Sequence, residues 1–177
     1  MIPIRRWALR RLASATAEGF GVSVPRGGGL SYRQYLQCYA QFTCDAAVQA
    51  LEEGKDLNAL RSRLRANSFA LGDWLRKYLH LRSPRAVMAA ARLLYRMIGI
   101  DFRGSSDGEV RVSSCFFSNY YTPSVCGLIS SLVRGLMAGL SGGGALTFTR
   151  RLTEGHPCCE ARFEFEEEKT CEEQPLL

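Results

Sequence analysis

Four cysteines and a histidine crowd one stretch of this chain: Cys115, Cys126, Cys158, Cys159 and His156 all fall between residues 115 and 165. Two chemistries use such a set. Tetrahedral zinc takes four thiolate or imidazole ligands, and Cys115, Cys126, Cys159 and His156 supply that number. Neighbours on a strand point to opposite faces, so Cys158 and Cys159 do not serve together. Because the spacing lacks paired CxxC knuckles, a possible zinc site stands beside the plainer reading of buried cysteines as small hydrophobes. The second chemistry is nucleophilic catalysis by Cys126 or Cys159, which needs a base or a cation to form the thiolate. His156 lies two and three residues from the cysteine pair, with Arg134 and Arg151 as anion partners. No Cys/His/Asn signature surrounds them, and a histidine before a proline in a turn is ordinarily just solvated.

A binding chemistry is legible in the same stretch. Phe116, Phe117, Tyr120, Tyr121 and Phe148 are dense enough to line a pocket for an apolar ligand, although each taken singly reads as core. Arg134 sits inside an otherwise apolar helix pattern and is the candidate for a ligand's carboxylate or phosphate.

The elements that position these residues follow from periodicity. Ile4 to Phe20 reads as a helix with Trp7 and Leu12 apolar and Arg5, Arg6, Arg10 and Arg11 exposed. After the Gly- and Pro-rich GFGVSVPRGGG, Ser31 caps a helix to Leu51. Asp56 or Asn58 starts a third, with Leu57, Leu60 and Leu64 on one side, and Phe69 to Leu79 continues with Leu71, Trp74, Leu75 and Tyr78 on one stripe. His80 closes it. Ser83-Pro84 opens a helix to about Ile98 whose face is Val87, Ala90, Ala91, Leu94 and Ile98. Residues 103–108 read as a turn-rich linker, after which the period becomes two through Val110 and Val112.

From Ser124 a helix presents Leu128, Ile129, Leu132, Val133, Leu136, Met137 and Leu140. Its other face is small (Gly127, Ser131, Gly135, Ala138, Gly139), which admits a neighbouring backbone or a flat ligand. Arg134 in mid-run argues against a transmembrane span. Leu146, Phe148, Arg150 and Leu152 alternate with polar residues. After the turn Glu154-Gly155-His156-Pro157, so do Cys159, Ala161, Phe163 and Phe165, giving a hairpin.

Composition bounds the class. The chain has 177 residues with ordinary apolar and charged fractions and a net charge of +6 resting almost wholly on arginine. The positive charge lies before residue 160, because the end of the chain is acidic. With no nucleic-acid motif, the arginines read as solvated helix faces rather than a specific nucleic-acid surface. An odd count of seven cysteines and no secretory hydrophobic core at the start suggest a reducing, cytoplasmic setting. The Arg-rich opening reads as a basic first helix, with a transit peptide or surface-seeking helix as alternatives.

The frame Cys115…Pro123-x-x-Cys126…Gly139-Leu140…Phe148-x-x-x-Leu152-x-x-Gly155-x-x-x-Cys159-x-x-x-Phe163 resembles the C-terminal half of the small proteins grouped with L-2-amino-thiazoline-4-carboxylate hydrolases. More distantly it is similar to the 4-vinyl reductase type of ligand-binding domain, which shares its α/β fold with one class of subunit in the TRAPP vesicle-tethering complex. The preceding LLYRMIGIDF fits the same picture, and the likeness covers roughly the last seventy residues. It implies helices and an antiparallel sheet enclosing an apolar pocket, and pairing through helices into dimers. Cys115, Cys126 and Cys159 fall on the family's cysteine positions. The hydrolase pattern also has a second cysteine and an acid where this chain has Ser130 and Val133. Zinc-holding vinyl-reductase domains use a Glu and a Cys where this chain has Phe148 and Arg151. These departures remove ligands or catalytic groups.

The expectation is a single α+β domain: a helical part over 1–103, a strand-helix-hairpin part over 109–166 and a loose acidic tail over 167–177. Functionally it is a cytoplasmic, homodimeric pocket protein for a small apolar or carboxylated molecule. It has no transmembrane segment and no specific nucleic-acid partner. The alternative is a cysteine- or metal-dependent hydrolase; a third reading is a helix-mediated assembly protein with a vestigial pocket.

Overall fold

The computed structural model describes residues 2–166, so the expected acidic tail lies outside the described residues. Four helices come first: α1 (Ile2–Phe20), α2 (Tyr32–Glu52), α3 (Leu57–Leu79) and α4 (Pro84–Met97). Strands β1 (Ile100–Gly104) and β2 (Glu109–Cys115), a 3-10 turn (Phe116–Asn119), helix α5 (Pro123–Ser141) and strands β3 (Ala145–Arg150) and β4 (Cys159–Glu164) complete the fold. The strands form one antiparallel sheet in the order β1-β2-β4-β3. The α+β class is therefore the observed one.

Local chemistry explains most helix starts. Ser31 and Gln34 form a reciprocal capping box, the Asp56 carboxylate accepts from the Asn58 and Ala59 amides, and Ser83 and Thr122 cap helices with proline in the first turn. His80 ends α3 through its backbone, which adopts a left-handed φ of 53° and donates its N–H to the Arg76 and Lys77 carbonyls.

Three readings of the sequence need correction. The stretch 103–108 is not all linker: Arg103 and Gly104 belong to β1, whose five residues, with Ile100 and Phe102 alternating, are too few for a clear period. Trp7, Trp74 and Tyr78 are not core: Trp74 and Tyr78 are 44% and 68% exposed, and the three rings stack on one another outside. The buried faces of these helices are instead Leu9, Ala13 and Thr16 on α1 and Leu60, Leu64, Ser68, Gly72 and Leu75 on α3. Finally, Tyr95 is buried on α4, where the expected stripe omitted it.

The small face of α5 is filled by another backbone, not a ligand. A Cβ on Gly135 would lie 2.2 Å from the Arg65 carbonyl oxygen, and one on Gly139 would lie 2.2 Å from the Phe69 carbonyl oxygen. Gly72 on α3 returns the contact, its own Cβ position lying 2.4 Å from the Leu136 oxygen. With the small side taken by α3, the apolar side of α5 faces the sheet. That helix is long and apolar enough to cross a membrane, yet most of it is buried inside the protein.

Candidate functional site

Between α5 and the inner face of the sheet lies a cavity of about 120 Å³. The sheet contributes Ile100, Phe102, Val110, Val112, Leu146 and Phe148, and α5 contributes Cys126, Ile129, Ser130, Val133 and Leu136. Tyr39 from α2 and Tyr95 from α4 close other sides. Natural cores leave few voids larger than a water molecule. An apolar hole of about 150 Å³ can hold benzene, so this one has the scale of a ligand site.

Two β-bulges decide which groups line it. The β1–β2 register pairs Phe102 with Val112 but Ile100 with Cys115, so an extra residue enters β2. Strict alternation after Val110 and Val112 would place Ser114 inward; the bulge leaves Ser113 and Ser114 exposed and brings Cys115 to the cavity. In β3, Phe148 pairs with Ala161 while Arg150 pairs with Glu160, a second extra residue. Arg150 consequently points outward, 3.5 Å from Glu160, and Arg151 turns in with its side chain only 15% exposed. Its guanidinium lies 4.9 Å from the Phe148 ring centre, and Nη1 is 3.3 Å from a Glu154 oxygen. Arg151 is the single charged residue among the lining residues.

The expected residues divide. Cys115, Cys126, Cys159, Phe117, Tyr121 and Phe148 all line the cavity. Phe116 and Tyr120 do not; they pack on each other with ring centres 5.4 Å apart, and Phe116 meets Phe117 edge-on. Arg134 lies outside the lining, near enough to Arg151 that burial, then the charges of Arg151, Arg65 and Arg61, pull its pKa down. Cys158 is buried off the cavity with its S–H toward Glu160, as strand alternation requires. His156 is exposed in its turn and is not a cavity residue. The four positions where the chain departs from the resembled families, Ser130, Val133, Phe148 and Arg151, all line the cavity.

Of the four candidate metal ligands, Cys115, Cys126 and Cys159 share the cavity and His156 lies apart from it, and no cluster of three or more His, Cys, Asp or Glu suited to a metal ion is found among the described residues. Two of the three cavity thiols, Cys115 and Cys159, are poorly suited to attack. Burial pushes Cys115 up to about 11 and raises Cys159 as well, so both are protonated at neutral pH. With His156 outside, no base stands in the lining to remove the proton.

Sequence reasoning missed Tyr95, Thr153 and the inward role of Arg151. The first two gave no signal, since a tyrosine on a helix and a threonine in a turn are commonplace. The outer face of the sheet carries Arg103, Arg111 and Arg162 among Glu109 and Glu160 in an open groove. Arg111 sits opposite Glu160 and Glu109 opposite Arg162, so cross-strand charge pairing accounts for that face. No protein-family model, curated protein or solved structure matches the chain.

Proposed function

We propose that the chain is a small-molecule-binding protein whose cavity takes an apolar carboxylate, as its resemblance to 4-vinyl reductase type domains implies. The observation that carries this reading is an apolar cavity whose lining holds one charged side chain, Arg151. An apolar wall supplies affinity by burial, and a lone guanidinium in a low-dielectric site selects an anion and orients it. Thr153 in the same lining adds a hydroxyl two residues after the arginine. The hydrolase alternative draws on the three cavity thiols, but burial raises the pKa of Cys115 and Cys159, and no histidine or carboxylate stands among the lining residues, which weighs toward binding. The six described cysteines are all unpaired, which suits the proposed cytoplasmic setting. Pairing into a homodimer belongs to the same proposal.

The test is calorimetric titration with octanoate. Wild-type protein is expected to bind it, and Arg151→Leu to bind about ten- to a hundredfold more weakly, the range for losing hydrogen bonds to a charged group. Val133→Trp, which places bulk in the cavity, is expected to abolish binding while retaining the far-UV spectrum. No binding to wild type, or equal binding by Arg151→Leu, would refute the proposal.

A further inference from the structure

Three polar atoms on the cavity-lining side chains have no hydrogen-bond partner among the described residues: the Tyr95 hydroxyl, Arg151 Nε and Thr153 Oγ1. Buried polar atoms without partners are uncommon in folded proteins and call for a cause. The two other tyrosines of the lining show the ordinary solution. The Tyr39 hydroxyl bonds Thr16 at 2.9 Å, and the Tyr121 hydroxyl bonds Thr43. Ser118 and Ser130 likewise bond the Cys115 and Cys126 carbonyls. Tyr95 stands apart: it is 3% exposed, and burial raises its pKa so that it remains a protonated donor.

Tyr95 and Arg151 pack against strands at opposite edges of the sheet. Tyr95 stacks on Phe102 of β1, ring centres 5.0 Å apart, at one edge of the sheet. Arg151 covers Phe148 of β3 at the other edge, with Thr153 two residues on. Three strand spacings separate those edges, about 14 Å at 4.7–4.9 Å each. Between them the wall is apolar, with Val110, Val112, Ile129 and Leu136. A buried water at the Tyr95 end would need two to four polar partners, and the Tyr95 ring stacks there on apolar Phe102 in a lining that is almost wholly apolar.

We infer that the ligand is two-headed: a narrow apolar carboxylate with a second hydrogen-bonding group at its far end, the carboxylate at Arg151 and Thr153 and the second group at the Tyr95 hydroxyl. This rests on the binding reading above and adds the polarity of the far end. The tyrosine hydroxyl both donates and accepts, so a hydroxyl, carbonyl or amide would satisfy it.

The experiment compares octanoate with ω-hydroxyoctanoate by calorimetry on wild type, Tyr95→Phe and Arg151→Leu. Wild type is expected to prefer the hydroxylated probe by about tenfold, since the plain chain leaves the tyrosine unpaired. In Tyr95→Phe the ratio is expected to fall to about one, while in Arg151→Leu both affinities drop and the ratio persists. The phenylalanine variant removes only an unpartnered oxygen, so its unligated Tm should be no lower than that of wild type. Wild type binding octanoate at least as tightly as ω-hydroxyoctanoate, or Tyr95→Phe keeping the preference, overturns this inference and leaves the binding proposal standing. Failure of wild type to bind either probe overturns both.

Discussion

Replacing Gly139 by alanine should unfold this protein more readily, although alanine is the better helix former. The gain in propensity is about 1 kcal/mol. Against it, the new Cβ would lie 2.2 Å from the Phe69 carbonyl oxygen, 2.7 Å from the Asp73 nitrogen and 2.9 Å from the Gly72 Cα. All three are backbone atoms of α3, so no side chain can swing aside. Restoring an ordinary 3.4 Å contact would part the two helices by about an ångström and loosen the whole seam. Overpacking of this kind is destabilising by about 1–3 kcal/mol and occasionally more, and a backbone clash belongs at the upper end. The net loss should be about 2 kcal/mol, a fall in Tm of about 4–8 °C for a chain of this length. Gly127→Ala on the same helix is the control: nothing lies within 4 Å of its Cβ position, so it should gain up to about 1 kcal/mol. Thermal and urea denaturation followed by circular dichroism measures both. If Gly139→Ala matches or exceeds wild type, the close α3–α5 approach is not what the glycine serves.

Cys115 should make stability depend on alkaline pH. Its thiol is held up to about 11 when folded against an ordinary 9.0. Its contribution is full below about pH 9 and lost as pH rises toward 11, about 2–3 kcal/mol in all. The stability difference between wild type and Cys115→Ala should narrow by that amount across the window; a constant difference refutes it. Iodoacetamide labelling mapped by mass spectrometry should modify exposed Cys38 first and cavity-lining Cys115 among the last, with the Cys115 rate still rising with pH toward about 11. Chelation with EDTA should leave Tm unchanged, and elemental analysis should find zinc far below one per chain, since no described cluster suits a metal.

The helices, their caps and the β4 alternation were legible because their causes are local. Ser31, Asp56 and Ser83 act on amides two or three residues away, and Ala161 and Phe163 follow a period of two that needs no knowledge of the partner strand. The wealth of small residues on α5 was equally visible, but its occupant was not. Only the docking of Ser68 and Gly72 showed that a helix takes that face and that the cavity lies on the other side.

The site itself was half legible. Composition placed cysteines and aromatics in the right stretch, yet it named Arg134 as the ligand's cation, where the lining holds Arg151. The reason is parity. A strand's inward set is inferred by counting in twos, and one inserted residue exchanges inward for outward from that point on. The bulges after Phe148 and Val112 are set by pairing with β4 and β1, whose positions depend on the whole fold. Exposed Trp74 and Tyr78 were misread for a related reason, since a stripe of apolar residues does not say which stripe its neighbours will cover. What the sequence determined by itself was the elements and the supply of chemical groups; which of them face the cavity was decided by tertiary register alone.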